Sequence, residues 1–273
     1  MAKIYQVDAF TDRLFGGNPA AVVPLESWID DKTLQLVAME NNLAETAFFV
    51  PVETGYELRW FTPASEVALC GHATLATAHV LVNHLGVESE RLDFITRKSG
   101  TLSVTKEPDG RLSMSFPVID VNESTDHHLV ANALGAEPQA LLKGNYTEAE
   151  FDYMAVFDSA QSVSSISSNK AEFKKLKSRG VIVTAAVDAT VDSSSADFVS
   201  RYFAPNYGID EDPVTGSAHC LLAPYWSSVL GKSELIAHQV SERSGVIACR
   251  LQGDRTVLTG SCVDYLQGDI NLA

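Results

Sequence analysis

Glu45 stands in the stretch LAETAFFV, residues 43–50, between a helix-like segment and a strongly apolar run. Flanking Ala44, Thr46, Ala47 and Phe48 would strip water from its carboxylate and lift its pKa toward the range in which one group can both take and return a proton. A strand-edge glutamate facing water is the competing reading. Further on, Cys70, Gly71 and His72 open one apolar segment, and DPVTGSAHC opens another through Asp212, Pro213, Gly216 and Ser217. Both read as helix starts, the second led by Asp212 with Pro213 at its beginning. Backbone N–H groups at a helix start lack intrahelical partners and sit at the positive end of the helix dipole, so they suit an anion, and glycine lets it approach the main chain. His72 equally reads as a capping or packing residue, Asp212 as a turn former and Ser217 as either.

The two openings belong to one internal repeat. RWFTP at 59–63 recurs as RYFAP at 201–205, and GHATLATAHVLVNHLG from Gly71 matches GSAHCLLAPYWSSVLG from Gly216, the two glycines lying 145 residues apart. At that offset Ala73 falls on Ala218, Ala78 on Ala223, Leu85 on Leu230 and Gly86 on Gly231. The repeat predicts two domains of one pattern, each burying a helix that is apolar nearly all round. With both helix starts at a shared cleft, the N–H groups of Gly71, His72, Gly216 and Ser217 would hold a small carboxylate. The same offset sets Cys70 against Thr215, whose hydroxyl has too high a pKa to act as a second thiolate-like base. A two-thiol racemase mechanism is then closed unless Cys220 aligns instead, and Cys70 reads as a buried small residue.

Elements that would position these groups follow from the pattern. KIYQVDAF, AAVVPL, TAFFVP and YELRWF read as strands of a largely antiparallel sheet, with hairpin turns at EPDGR and QGDR. Helices are expected at DKTLQLVAMENN, TDHHLVANALG and NKAEFKKLKSRG, surface loops at the serine-rich pieces 159–168 and 192–195, and a linker at FPVIDVNESTD, residues 116–126. The fold class is α+β, with domains at 1–118 and 119–273, central helices near 72–85 and 217–230, and a last strand free to return to the first domain.

Bulk properties narrow the function. The 273-residue chain carries a net charge of -15, offset locally only by KKLKSR at 174–179, which argues against nucleic acid and anionic membranes as partners. The N-terminus has no apolar leader and no stretch approaches the roughly 18 apolar residues of a membrane span, so a cytoplasmic protein is expected. Cys70, Cys220, Cys249 and Cys262 have neither paired nor zinc-finger spacing and are read as mostly buried thiols. No phosphate-binding loop and no metal-ligand motif asks for a cofactor or a metal.

Taken together, GGNPAAVV, LAETAFF, RWFTPASEVALCGHATLATAH, RYFAPNYGIDEDPVTGSAHCLLAPYW and QVSERSG make a chain that resembles the phenazine-biosynthesis PhzF family, least clearly between about 118 and 195. That resemblance implies a diaminopimelate epimerase-like fold, each domain a sheet wrapped round a central helix, and a homodimer. It implies Glu45 as the acid/base group, His72, Asp212 and Ser217 as further active-site residues, and Gly71 and Gly216 as backbone contacts to a substrate carboxylate. One departure is Ser244, where the family usually has glycine. The implied activity is a cofactor-independent isomerisation of a small carboxylic acid. A racemase or epimerase, and a non-catalytic carboxylate-binding protein, remain open alternatives.

Overall fold

The computed structural model describes residues 1–188 and 195–272. Two compact units divide it: Met1–Ser115 with the segment from Thr259 onward, and Phe116–Leu258.

The first unit runs β1 (Ala2–Ala9), β2 (Asn18–Pro24), α1 (Asp31–Asn41), β3 (Glu45–Val52), β4 (Gly55–Phe61), β5 (Glu66–Val67), α2 (Gly71–Asn83), β6 (Arg91–Thr96), β7 (Thr101–Lys106) and β8 (Leu112–Pro117). Pairing is antiparallel for β1–β2, parallel for β2–β3, antiparallel for β3–β4, parallel for β4–β6 and antiparallel for β6–β7. Helix α2 is buried along most of its length and touches β1, β2, β3 and β7, so the sheet winds around it. The outer face is closed by α1, whose Leu34 and Ala38, one helical turn apart, pack with Phe48, Val50 and Phe61. Asp30 starts α1 by accepting from Thr33 N at 3.0 Å, and left-handed Asn42 ends it.

The second unit runs β9 (Val121–Glu123), α3 (His127–Leu134), β10 (Ala140–Asn145), β11 (Phe151–Val156), α4 (Ala160–Ser165), α5 (Lys170–Phe173), β12 (Gly180–Ala186), β13 (Phe198–Ala204), a 3-10 turn (Pro205–Tyr207), β14 (Ile209–Asp212), α6 (Gly216–Leu230), β15 (Glu234–Gln239), β16 (Gly245–Gln252) and β17 (Arg255–Gly260). Its pairings repeat the same order of directions: antiparallel β10–β11, parallel β11–β12, antiparallel β12–β13, parallel β13–β15, antiparallel β15–β16. Helix α6 occupies the place of α2. It approaches β10 where Gly144 leaves room, since a Cβ there would lie 2.3 Å from Leu221 Cδ2. Its Trp226 donates to Thr184 Oγ1 on β12 at 2.9 Å. The final strand β18 (Cys262–Ile270) pairs antiparallel with β1, as β9 does with β10. The protein is thus α+β, with two units of one pattern, each a mostly antiparallel sheet around a central helix.

The repeated arginines have a matching structural use. Arg59 forks onto Glu66 at 2.7 and 2.9 Å, fastening β5 to β4, and Arg201 forks onto Glu211 at 2.7 and 2.8 Å, fastening β14 to β13. Gly71 follows Arg59 by 12 residues and Gly216 follows Arg201 by 15, and the difference equals the length of the three-residue 3-10 turn.

Several local expectations are corrected. The serine-rich piece 159–168 is largely α4, because Ser159 accepts from Ser162 N at 3.1 Å and caps it. Of the second serine-rich piece only Ser195 falls among the described residues; 192–194 lie outside them. The helix expected over NKAEFKKLKSRG stops at Phe173, where Asn206 Nδ2 donates to the carbonyls of Phe173 and Leu176, and Gly180 begins β12 instead of capping a helix. The linker at 116–126 contains a strand, β9, paired with β10. Pro213 and Asp212 precede α6 rather than opening it, since the helix begins at Gly216 with Thr215 at its N-cap.

Candidate active site

Glu45 is the first residue of β3 and His72 the second of α2. Their side chains, 13% and 8% exposed, meet at 3.1 Å between Oε2 and Nε2. The other ring nitrogen, Nδ1, lies 3.5 Å from Cys70 Sγ. His72 is therefore held between a carboxylate and a thiol. Burial opposes its charged form, but the Glu45 carboxylate beside it favours that form, and the His72 pKa is raised above the ordinary 6.5. Burial, reinforced by Glu45, pushes the Cys70 thiol up to about 11, so it is not a ready thiolate. Cys70 also occupies the N-cap of α2 without a side-chain cap bond. Glu45, Cys70 and His72 present donor atoms within 4.8 Å of one another; for a metal, the raised thiol pKa disfavours thiolate ligation.

In the second unit Asp212 ends β14 and accepts from Thr215 Oγ1 at 2.5 Å. The loop to α6 is fastened by QVSERSG: buried Gln239 accepts from Thr215 N at 2.9 Å and donates to Asp212 O at 2.8 Å, while Ser241 donates to Pro213 O at 2.7 Å. Ser217 Oγ accepts from Arg179 Nη2 at 3.0 Å. That guanidinium also forks onto fully buried Asp152 at 3.2 and 2.7 Å, which accepts further from Tyr146 at 2.9 Å and Tyr202 at 3.1 Å. Like Cys70, Thr215 makes no side-chain cap bond to the helix that Gly216 begins.

Sequence reasoning missed Asp152, Arg179, Tyr146 and Gln239. Arg179 closes the basic run KKLKSR, yet its side chain turns inward to a carboxylate 27 residues away. Ser244, the departure in QVSERSG, has φ +61, a left-handed backbone that favours glycine, and its hydroxyl lies 2.6 Å from His238 Nε2.

A family model described as phenazine biosynthesis-like protein matches residues 7–268. The chain belongs to that family. A protein of Pseudomonas aeruginosa named an uncharacterized isomerase is 47% identical over 269 residues, 98% of each chain. A solved PhzF-family protein of Enterococcus faecalis superposes with a TM-score of 0.90 at 40% identity, covering 99% of both chains. A hydroxyproline epimerase of Agrobacterium vitis shares the fold alone, with a TM-score of 0.57 at 11% identity over 98% of this chain and 91% of its own. The two domains of one pattern expected from the repeat, and the epimerase-like fold that the resemblance implies, are the architecture of this family. Among the described residues no helix is long and apolar enough to cross a membrane.

Proposed function

We propose that this PhzF-family chain is a cofactor-independent isomerase of a small, unsaturated carboxylic acid, with Glu45 as the group that carries the proton. The supporting observation is the Glu45–His72 contact of 3.1 Å at the uncapped start of a buried helix. In this reading Glu45 takes a proton from a carbon made acidic by the neighbouring unsaturation. The C–H electron pair is delocalised over the conjugated system, and the protonated Glu45 returns the proton to a different carbon of the same molecule. His72, held toward its charged form, stabilises the negative charge that develops. The N–H groups from Gly71 onward receive the substrate carboxylate. Cys70, held as a thiol, takes no part as a base.

Turnover of candidate acids in heavy water tests the reading. Deuterium should enter the product at the carbon that receives the proton. Glu45→Gln keeps the shape but removes the base, so kcat should fall on the order of 100-fold or more with carboxylate binding little changed. An active Glu45→Gln with a dead Cys70→Ala would return a thiol-based racemase to first place. The parts played by Asp212, Ser217 and Gly216 are read by assaying Asp212→Asn, Ser217→Ala and Gly216→Ala on the same substrate.

A further inference from the structure

A second cluster of chemistry-bearing side chains lies at the opposite end of α2. His79 is in the last turns of that helix, His84 is its C-cap, and Asp264 is on β18. The ring nitrogens Nε2 of both histidines converge on the same oxygen, Asp264 Oδ1, at 3.1 and 2.9 Å, and the three donor atoms lie within 4.8 Å of one another. We propose that His79, His84 and Asp264 bind one divalent transition-metal ion of the zinc class, leaving a coordination position for water.

The donor spacing supports this. Metal–ligand bonds of about 2.0–2.1 Å in a tetrahedral site put neighbouring donors roughly 3.3–3.4 Å apart, so the two histidine–aspartate pairs need open by only a few tenths of an ångström to admit an ion. Two imidazoles and one carboxylate with an open fourth position form a donor set that zinc accepts, and nitrogen ligands favour Zn2+, Co2+ or Ni2+ over Mg2+ and Ca2+.

The ligands are also packed in place. The Asn83 amide lies beside the His79 ring, 2.9 Å from Nδ1 and 3.5 Å from Nε2. The His84 ring rests against Tyr5, with centroids 4.7 Å apart. The Asp264 side chain is 46% exposed while His79 and His84 are 12% and 21% exposed, so the cluster has a buried floor and one side open to water and to an entering ion. The bound ion would join the end of the helix that begins at Gly71 to the strand that returns at Cys262. A plain carboxylate bonded to two histidines is the competing explanation.

The test uses the full chain, free of any histidine tag and stripped with a chelator. Titration with Co2+ should give visible d–d bands saturating at one equivalent, displaced by Zn2+ and not by Mg2+. The bands should be lost in Asp264→Asn and in His84→Gln and kept in Cys70→Ala. In the wild type, Zn2+ at about 100 times its Kd should raise Tm by about 5 °C. Proton NMR of the unmodified chain should show the imidazole signals of His79 and His84 shifting with Zn2+ while those of His219 do not, which keeps the proposal testable if a variant fails to fold. Absence of bands and of imidazole shifts, or bands that survive Asp264→Asn and vanish in Cys70→Ala, would overturn it.

Discussion

Glu45 Oε2 lies 3.1 Å from His72 Nε2, and this contact helps hold the imidazole toward its charged form inside the first unit. Replacing Glu45 by Gln removes that charge, so the His72 pKa should fall, as followed by NMR titration of its ring protons. A His72 that titrates unchanged in Glu45→Gln would mean the contact does not control its charge.

The two buried histidines at the helix starts should shape stability against pH in opposite directions. His72 has a raised folded pKa, so its contribution is full below the unfolded value of about 6.5 and is lost as pH rises through the folded value. His219 is fully buried, its Nδ1 lies 2.8 Å from Thr215 O, and burial pushes its pKa down to about 4. Its contribution is full above about 6.5 and is lost as pH falls toward 4, on the order of 3 kcal/mol in all. Urea unfolding from pH 4 to 6.5 should therefore show a shallower pH slope in His219→Gln than in the wild type, by up to about one proton.

Cys70 should be slow to alkylate. With its thiol at about 11, only about one part in 10,000 is thiolate at pH 7, and the residue is buried. Iodoacetamide should label it far more slowly in the folded chain than in urea, and Cys70→Ala should lower kcat by no more than about 10-fold. Rapid labelling that abolishes turnover is the outcome that contradicts this.

Gly144→Ala should destabilise the second unit. The new methyl would meet Leu221 Cδ2 at 2.3 Å, and Leu221 is fully buried, so β10 and α6 must separate or Leu221 must leave its rotamer. A loss of about 1–3 kcal/mol in chemical unfolding is expected.

Ser244 offers a comparison of two substitutions. At φ +61 alanine pays the left-handed penalty and loses the hydroxyl contact with His238, while glycine loses only the contact. Ser244→Gly should be more stable than Ser244→Ala by about 1 kcal/mol. Equal stabilities would show that the loop relaxes out of the left-handed region.

The central helices were legible in the sequence because glycine, apolar runs and a shared arginine–aromatic strand are local signals, and burial of His72 through Ala78 bears them out. The position of Glu45 at the start of β3 was legible for the same reason. What was not legible depends on long-range pairing. Asp152 on β11, Arg179 in the connection before β12 and Ser217 on α6 form one network, with no periodicity to connect them. His79 and His84 stand five residues apart, but the carboxylate they share lies 180 residues beyond His84. α5 ends early because Asn206, 33 residues downstream, takes the Phe173 carbonyl, which no reading of NKAEFKKLKSRG can see.

Strand β18 has a consequence for how the protein is made. β1 lies between β2 and β18, pairing Ala9 with Asn18 on one side and with Cys262 on the other. At cellular elongation rates roughly 10–50 s separate the emergence of these two neighbours from the ribosome. Through that interval one edge of β1 has its hydrogen-bonding groups open, a template for pairing with another nascent chain. The codons for β1 and β2 thus specify a sheet edge that only codons roughly 240 positions later can close, and synthesis stalled between them would yield a species prone to aggregate rather than a smaller folded domain.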